Sequence, residues 1–225
     1  MEPLVFFLVI IGIIAIAIFA FMASLKRRKE WQDFANRHGL SFLRYDSVGL
    51  PQRYSNYSLF QQGHSKKGYN LCMGNEKDLN ICSFDYQYTT GSGKNQQTHY
   101  TTGLMVESPL SYKPLYIRPE NFLDKIGAAI GFDDIDFESA EFSKRFYVKC
   151  TDKKFAYDII HARMMEFLLG TRGLVIEARY RSVLFHRDRR ISIPEMEILL
   201  LESHKFFDLT PDYVRKEITS PIGKV

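Results

Sequence analysis

The sequence predicts an α+β fold, in which an antiparallel sheet packs with helices and one N-terminal transmembrane helix precedes both. Three observations support this prediction. An uncharged, apolar segment fills residues 4–25. Residues 79–88 and 98–106 are rich in strand-forming side chains and flank a loop of turn-forming residues, which is typical of an antiparallel hairpin. In the rest of the chain, strand and helix signals are partly segregated, whereas a doubly wound parallel sheet would alternate them.

The apolar segment is long enough to span a membrane. As a helix it rises about 33 Å, which exceeds a hydrocarbon core of about 30 Å. A secretory signal would carry its basic residues before a shorter apolar region. Here they follow the segment, as Lys26, Arg27, Arg28 and Lys29. These four residues are therefore predicted to lie at the membrane surface, and the positive-inside rule places the rest of the chain in the cytoplasm.

Two further interpretations of this segment stay open. Residues 20–24 resemble a signal cleavage site, which would make the segment removable. Ala20 and Ser24 also form a small-xxx-small pair, which is typical of helices that self-associate in membranes. No ionisable side chain lies within residues 4–25, so the sequence gives no sign of an ion path.

Aromatic and apolar residues recur with helical spacing directly after the basic residues. They are Trp31, Phe34, Ala35 and His38. This spacing predicts a basic juxtamembrane helix over residues 26–39, with Gly39 at its end. A short strand over residues 40–43 and a loop over 63–68 are expected to follow, before the hairpin of residues 79–106.

The second half of the chain mixes the two kinds of element. The predicted order is a strand over 115–118, a helix from Pro119 to residue 130, a strand over 143–150, a helix over 153–169 capped by Asp152, and a second hairpin over 174–186. Ser192 and Glu195 have the spacing of a capping box, which predicts the start of the last helix.

These signals divide the chain into five parts. The predicted organisation is an extracytoplasmic N-terminus (1–3), a transmembrane helix (4–25), a basic juxtamembrane helix (26–39), a cytoplasmic α+β domain (40–210) and a flexible tail (211–225). The domain is large enough to bury a sizeable core. The chain has only three cysteines, Cys72, Cys82 and Cys150, and none has C-x-x-C spacing, so we expect neither a disulfide framework nor a zinc site.

The sequence shows no recognisable catalytic, cofactor or metal motif. Gly91 to Lys94 lacks the first glycine and the following helix of a P-loop, so we interpret it as a hairpin tip. Cys82, Asp85 and His99 would lie near one another on the hairpin, but a core cysteine is the favoured interpretation. The acidic residues Asp133, Asp134, Asp136 and Glu138 offer oxygen ligands for a cation. They lack the glycine and the final glutamate of an EF-hand, so a solvated turn is favoured and cation binding stays open.

The chain has a net charge of +4, and a second group of cations lies late in the sequence. It consists of Arg179, Arg181, Arg187, Arg189 and Arg190. These residues could form an anionic-ligand surface that faces lipid headgroups, or they could protect a strand edge from aggregation. Nucleic acid is a competing polyanion, but tethering to the bilayer disfavours it.

Several segments together resemble a family of uncharacterised bacterial membrane proteins. They are residues 84–94, 133–142, 142–148, 155–158 and 163–166. Members of that family look like one N-terminal transmembrane segment followed by a single domain of unknown function. The resemblance implies a location in the bacterial inner membrane, and it carries over no activity and no functional residues.

The predicted function is a single-pass inner-membrane protein whose cytoplasmic domain is an interaction or scaffolding module. Its predicted partners are the lipid bilayer and a protein at the membrane, and self-association into a homo-oligomer stays open. No cofactor is expected. Two alternatives are a membrane-proximal enzyme with a dispersed site and a binder of anionic lipid headgroups. The absence of a recognisable catalytic motif favours the module over the enzyme.

Overall fold

One helix, α1 (Pro3–Arg37), continues from the apolar segment into the folded domain without a break. The structure is a computed structural model that describes residues 3–120 and 135–219. Within those residues α1 is the one helix long and apolar enough to cross a membrane, and its apolar window is not buried by the domain. Large side chains such as Phe19, which is 75% exposed, need another cover, and a bilayer would provide it.

The domain is built on an antiparallel sheet of six described strands. They are β1 (Ser41–Tyr45), β2 (His64–Glu76), β3 (Leu79–Thr90), β4 (Gln97–Pro119), β5 (Phe146–Cys150) and β6 (Val175–Arg187). The order is β1-β2-β3-β4-β5, and β6 pairs with β4 as well. The long strand β4 has room for three partners: β3 pairs along residues 97–107, β5 along 115–119, and β6 along 102–117.

The predicted hairpin of residues 79–106 is confirmed. The strands β3 and β4 pair in register from Asn80–Glu107 to Thr90–Gln97. The loop predicted over residues 63–68 is wrong, because β2 begins at His64 and pairs with β3 there.

The second predicted hairpin, over residues 174–186, is also wrong. This stretch is the single strand β6, which pairs with β4 along its length. The pairing is irregular around Tyr180, whose backbone φ is 50°. The polar residues 179–181 form a bulge and not a turn, because β4 is irregular at the same level and pairing resumes beyond it.

Seven further α-helices cover the two faces of the sheet in the described domain. The helices are α2 (Leu50–Arg53), α3 (Ser58–Gln61), α4 (Ala140–Arg145), α5 (Lys153–Ile159), α6 (Ala162–Gly170), α7 (Ile193–Leu209) and α8 (Asp212–Thr219). The C-terminal end of α1 and helices α4–α8 pack in one large core against one face of the sheet. The segment that carries α2 and α3 covers the other face, in a core rich in tyrosine and phenylalanine. The strands are therefore buried on both sides in the middle of the sheet.

The predicted helices are realised with shifted boundaries. The single helix predicted over 153–169 is two helices, because the chain leaves the helical conformation at Ile160 and His161. The capping box of Ser192 and Glu195 is confirmed at the start of α7. The predicted strand over 143–150 starts only at Phe146, since α4 occupies the preceding residues.

Two predictions concern segments at the limits of the description. The helix expected from Pro119 falls largely on residues 121–134, which lie outside the described part, and Pro119 itself ends β4. The flexible tail expected from residue 211 instead begins with α8. Val214 in that helix is fully buried in the large core, and the Arg215 guanidinium donates to the Thr210 carbonyl at 2.9 Å. The apolar residue at position 214 therefore belongs to the fold.

Candidate membrane-interface site

The helix α1 is joined to the sheet through a buried carboxylate, that of Asp85 on β3. The Arg27 guanidinium donates to both its oxygens, from Nε to Oδ2 at 2.7 Å and from the second terminal nitrogen to Oδ1 at 2.6 Å. The Trp31 indole nitrogen, one helical turn later, donates to Oδ2 at 3.0 Å. Asp85 is fully buried, and the side chain of Arg27 is 15% exposed. Bidentate, charge-assisted pairing of this kind fixes orientation as well as distance.

Two strands that flank β3 complete this arrangement, which we call the Asp85 hub (Arg27, Trp31, Asn70, Asp85 and Thr102). The Asn70 amide of β2 donates to Oδ2 at 3.0 Å, and the Thr102 hydroxyl of β4 donates to Oδ1 at 2.9 Å. Asn70 has a φ of 51° and lies at an irregularity in the β2–β3 pairing, which turns its side chain toward the carboxylate. Asparagine tolerates this left-handed conformation better than most residues.

The hub changes the interpretation of the four basic residues after the apolar segment. Arg27 was predicted to face the membrane surface together with its neighbours, but its charge is matched by Asp85 inside the domain. Lys26 lies within 3.9 Å of Glu30 on the exposed side of the helix. Arg28 is half-buried and Lys29 is exposed. Arg27 thus holds the domain to α1, while the other three remain predicted membrane-surface residues.

A groove of about 660 Å³ lies between α1 and the sheet, directly beside the hub. Its helical wall consists of Ala20, Phe21, Ala23, Ser24 and Leu25, the last turn and a half of the apolar segment, and of Arg27 and Arg28 in the next turn. Its opposite wall comes from β1, β2, β3 and β4 and from the segment after β6. We call this cavity the interface groove, because it lies where the apolar segment meets the basic residues.

Cations and aromatic rings line the domain side of the interface groove. Arg44, Lys67 and Arg190 are exposed there, and no acidic residue lines it within the described chain. The Arg44 guanidinium lies 4.8 Å from the ring centre of Tyr45, and that of Arg190 lies 4.6 Å from the ring centre of Tyr100. Cation–π contacts position a guanidinium without neutralising it.

The hydroxyl of Tyr69 also contacts Arg190 without neutralising it. Burial raises the pKa of this hydroxyl, so it stays neutral and accepts a hydrogen bond from the guanidinium. The positive charge of the groove is therefore not balanced by a carboxylate in its walls.

The five arginines predicted to form one anionic-ligand surface are separated in the structure. Arg190 alone reaches the interface groove. Arg187 is buried and pairs with Glu202 at 2.9 Å, and Arg189 pairs with Glu195. Arg179 and Arg181 line another cavity, of about 740 Å³, around the bulge of β6.

The charges of that other cavity, which we call the distal cavity, are largely paired. Arg179 lies 2.6 Å from Glu177, and Arg53 lies 2.6 Å from Glu107. The distal cavity includes Asn80 on β3, whereas the interface groove includes Gln87 on the same strand. At about 3.3 Å per residue, these positions are about 23 Å apart.

The one nucleophile–base combination considered from the sequence is not assembled. Asp85 projects from the α1 side of the sheet, whereas Cys82 belongs to the core on the other side. His99 pairs with Thr90 at 2.8 Å, near the far end of the strand from Cys82. Burial raises the pKa of the Cys82 thiol to about 12, so it is not a thiolate at neutral pH.

The remaining motifs add no site in the described residues. The hairpin tip around Gly91 is followed by strand β4 and not by the helix of a P-loop, as predicted. Of the acidic residues considered for a cation, Asp133 and Asp134 lie outside the described part. Asp136 and Glu138 are described, and no cluster of metal-ligating side chains occurs in the described chain.

Comparison with known proteins supports the fold. No family model and no curated protein matches the sequence. Among solved structures, the mycobacterial trehalose monomycolate transport factor A, TtfA, matches with a TM-score of 0.63. The match covers 88% of this chain and 97% of TtfA at 13% sequence identity. At this identity the likeness shows a shared fold alone. Together with the apolar helix, it fits a membrane-associated protein with a soluble domain.

Proposed function

We propose that the protein is a single-pass protein of a bacterial inner membrane whose cytoplasmic domain is an interaction module, held in a fixed orientation against the bilayer. The observation that carries this proposal is the Asp85 hub. A flexible tether would only keep a domain near the membrane, but α1 is continuous with the apolar segment and is bonded to three strands. A partner in the same membrane would therefore always meet the same face of the domain.

The likeness to TtfA suggests the kind of partner. That protein is named as a transport factor, and a domain of the same fold fixed at a membrane could serve as an accessory subunit of a membrane transport system. The enzyme alternative gains no support, since its one candidate combination is divided between the two faces of the sheet. The lipid-binding alternative loses its predicted surface, since the five arginines are separated and Arg190 alone lines the interface groove.

Chemical crosslinking in native membranes, followed by purification and mass spectrometry, tests this proposal. We expect the full chain to capture a defined membrane protein. Inserting a flexible glycine–serine linker between residues 25 and 26 keeps both the anchor and the Asp85 hub but frees the domain orientation. This variant should lose most of the capture.

The same linker inserted after Ser92, in the exposed hairpin tip, is the matched control and should leave capture unchanged. Equal capture by the wild type and the linker variant would contradict a fixed orientation. A reporter fused to the C-terminus tests the membrane topology separately, since the proposal requires a cytoplasmic signal.

A further inference from the structure

We propose that the interface groove binds the phosphate headgroup of an anionic membrane phospholipid, whose acyl chain lies along the small residues of α1. The inference rests on the proposed membrane anchoring, and it goes beyond the interaction module by naming a ligand class and its site. Three features of the groove carry it: its position, its uncompensated charge and its shape.

The position of the groove matches the headgroup layer. Its helical wall spans Ala20 to Arg28, so it runs from the end of the apolar segment into the basic residues that follow. Tyr45 and Tyr100 lie on its opposite wall and are 66% and 45% exposed. Amphipathic tyrosine rings are enriched at this level of membrane proteins, where one end of the ring is apolar and the other hydrated.

The charge of the groove selects for an anion. Arg44, Lys67 and Arg190 have no carboxylate partner in the groove walls. The nearby Asp46 does not line the groove, and its oxygens accept hydrogen bonds at 2.8 Å from the backbone nitrogens of Gly49 and Leu50. The distal cavity is of similar size, but two of its arginines are paired with glutamates. The groove thus has unmatched cations where a phosphate of the bilayer would lie.

The shape of the groove provides for the apolar part of the ligand. Ala20, Ala23 and Ser24 give the helical wall a shallow surface, and Phe21 extends it. An acyl chain in this position would cover apolar surface that the domain leaves exposed. A water-soluble phosphate would gain nothing from this wall, so we assign the site to a lipid.

The test is retention of lipid by the full chain. The wild type is reconstituted in nanodiscs of phosphatidylcholine and phosphatidylglycerol, released into mild detergent, and analysed by native mass spectrometry. The variant Arg44→Gln/Lys67→Gln/Arg190→Gln removes the three cations on the domain side of the groove and leaves Arg28 and the Asp85-paired Arg27 of α1 in place. The control Lys77→Gln/Arg172→Gln/Arg181→Gln removes three exposed cations that do not line the groove.

We expect the wild type and the control to retain phosphatidylglycerol in preference to phosphatidylcholine. The groove variant should retain at least about tenfold less, since each cation near a headgroup contributes a factor of roughly five. Equal loss in both triple variants would show unspecific attraction and overturn the proposal. Unchanged retention in the groove variant, or equal retention of the neutral lipid by the wild type, would overturn it too.

Two controls separate this inference from the proposed function. Each variant should show the wild-type thermal unfolding transition, which excludes misfolding as the cause of lost lipid. Each should also resist alkaline extraction from membranes. A chain that is extracted would overturn the membrane anchoring and the lipid site together, whereas an inserted chain that retains no phosphatidylglycerol would overturn the lipid site alone.

Discussion

At the scale of single residues, Asp85 shows how a charge in a strand is accommodated. Its carboxylate accepts hydrogen bonds from Arg27, Trp31, Asn70 and Thr102, so that both oxygens are satisfied without water. A buried ion pair gains little net stability over an apolar pair of the same volume. In some proteins such a pair contributes specificity, and here it joins the turn of α1 that carries Arg27 to the sheet.

Removing one partner of this ion pair should lower the free energy of unfolding by much more than the intact pair contributes to it. We expect Asp85→Asn to lower the free energy of unfolding by about 3–5 kcal/mol, because the Arg27 guanidinium would stay largely buried without a counter-charge. Glu107→Gln, which removes the counter-charge of the more exposed Arg53, should cost less than about 1 kcal/mol. Denaturant unfolding of the full chain in detergent measures both, and similar costs would contradict the assigned role of the hub.

The buried His186 gives the domain a pH-dependent stability. Burial lowers the pKa of this imidazole from 6.5 to about 4. The unfolded chain therefore binds the proton more readily between these values, so the stability of the folded state should rise as the pH increases from about 4 to 6.5. The shift corresponds to about 3 kcal/mol over that interval. Unfolding curves of wild type and His186→Leu at several pH values measure this, and an equal slope in both would refute it.

Residues with local signals could be predicted from the sequence, and residues with distant partners could not. Trp31, Phe34 and Ala35 are fully buried, as their helical spacing predicts. Asp85 alternates with aromatic residues and therefore has the pattern of a solvent-facing position. Its partner Arg27 is 58 residues away and follows an apolar segment, where a basic residue normally indicates a membrane surface. Only the packing of α1 on that face reveals the pair.

At the scale of elements, the end signals of helices were more informative than signals for breaks in strands. Ser192 caps α7 and Asp152 caps α5, because capping depends on a few neighbouring residues. The second strand of the predicted hairpin was expected to end at residue 106, yet β4 continues to Pro119. The β4–β6 pairing is irregular between the Glu107–Ser182 and Tyr112–Tyr180 pairs, so the strand bends there and does not end.

The last described helix, α8, offers a direct test of where the fold ends. Val214 is fully buried, whereas the neighbouring Tyr213 is 57% exposed. We expect Val214→Asn to destabilise the domain by about 2–3 kcal/mol, because it buries an amide in the apolar core. Tyr213→Asn should cost less than about 1 kcal/mol. Thermal unfolding of the two variants compares them, and equal transitions would restore the interpretation of this segment as a tail.

At the scale of the whole molecule, α1 and the domain form one unit, and the proposed membrane-facing end of this unit carries the interface groove. The α+β class and the anchoring helix could be predicted, because periodicity, length and charge determine them. The interface groove could not, because its walls come from residues 20–28, 44–45, 67–70, 87, 100 and 190, which only the tertiary fold brings together. Of the arginines singled out late in the sequence, Arg190 alone lies in this groove.

The proposed fixed orientation predicts how far each exposed residue lies from the membrane. In liposomes, a fluorophore on Tyr100→Cys should be quenched by lipids that carry a headgroup quencher, because Tyr100 lines the interface groove. The same fluorophore on Tyr180→Cys, at the distal cavity, should not be quenched. The interface groove and the distal cavity are farther apart than the roughly 10 Å depth of the headgroup layer, so only one of the two labels can reach it.

The native cysteines make this depth measurement practical. Cys72, Cys82 and Cys150 are buried and free, and burial raises the pKa of the first two to about 12, so they react slowly with labelling reagents. The linker variant between residues 25 and 26 serves as the control, since a freely moving domain should reduce the difference between the two positions. Equal quenching at Tyr100→Cys and Tyr180→Cys in the wild-type background would mean that the domain has no preferred face toward the membrane, and that the Asp85 hub stabilises the domain without orienting it.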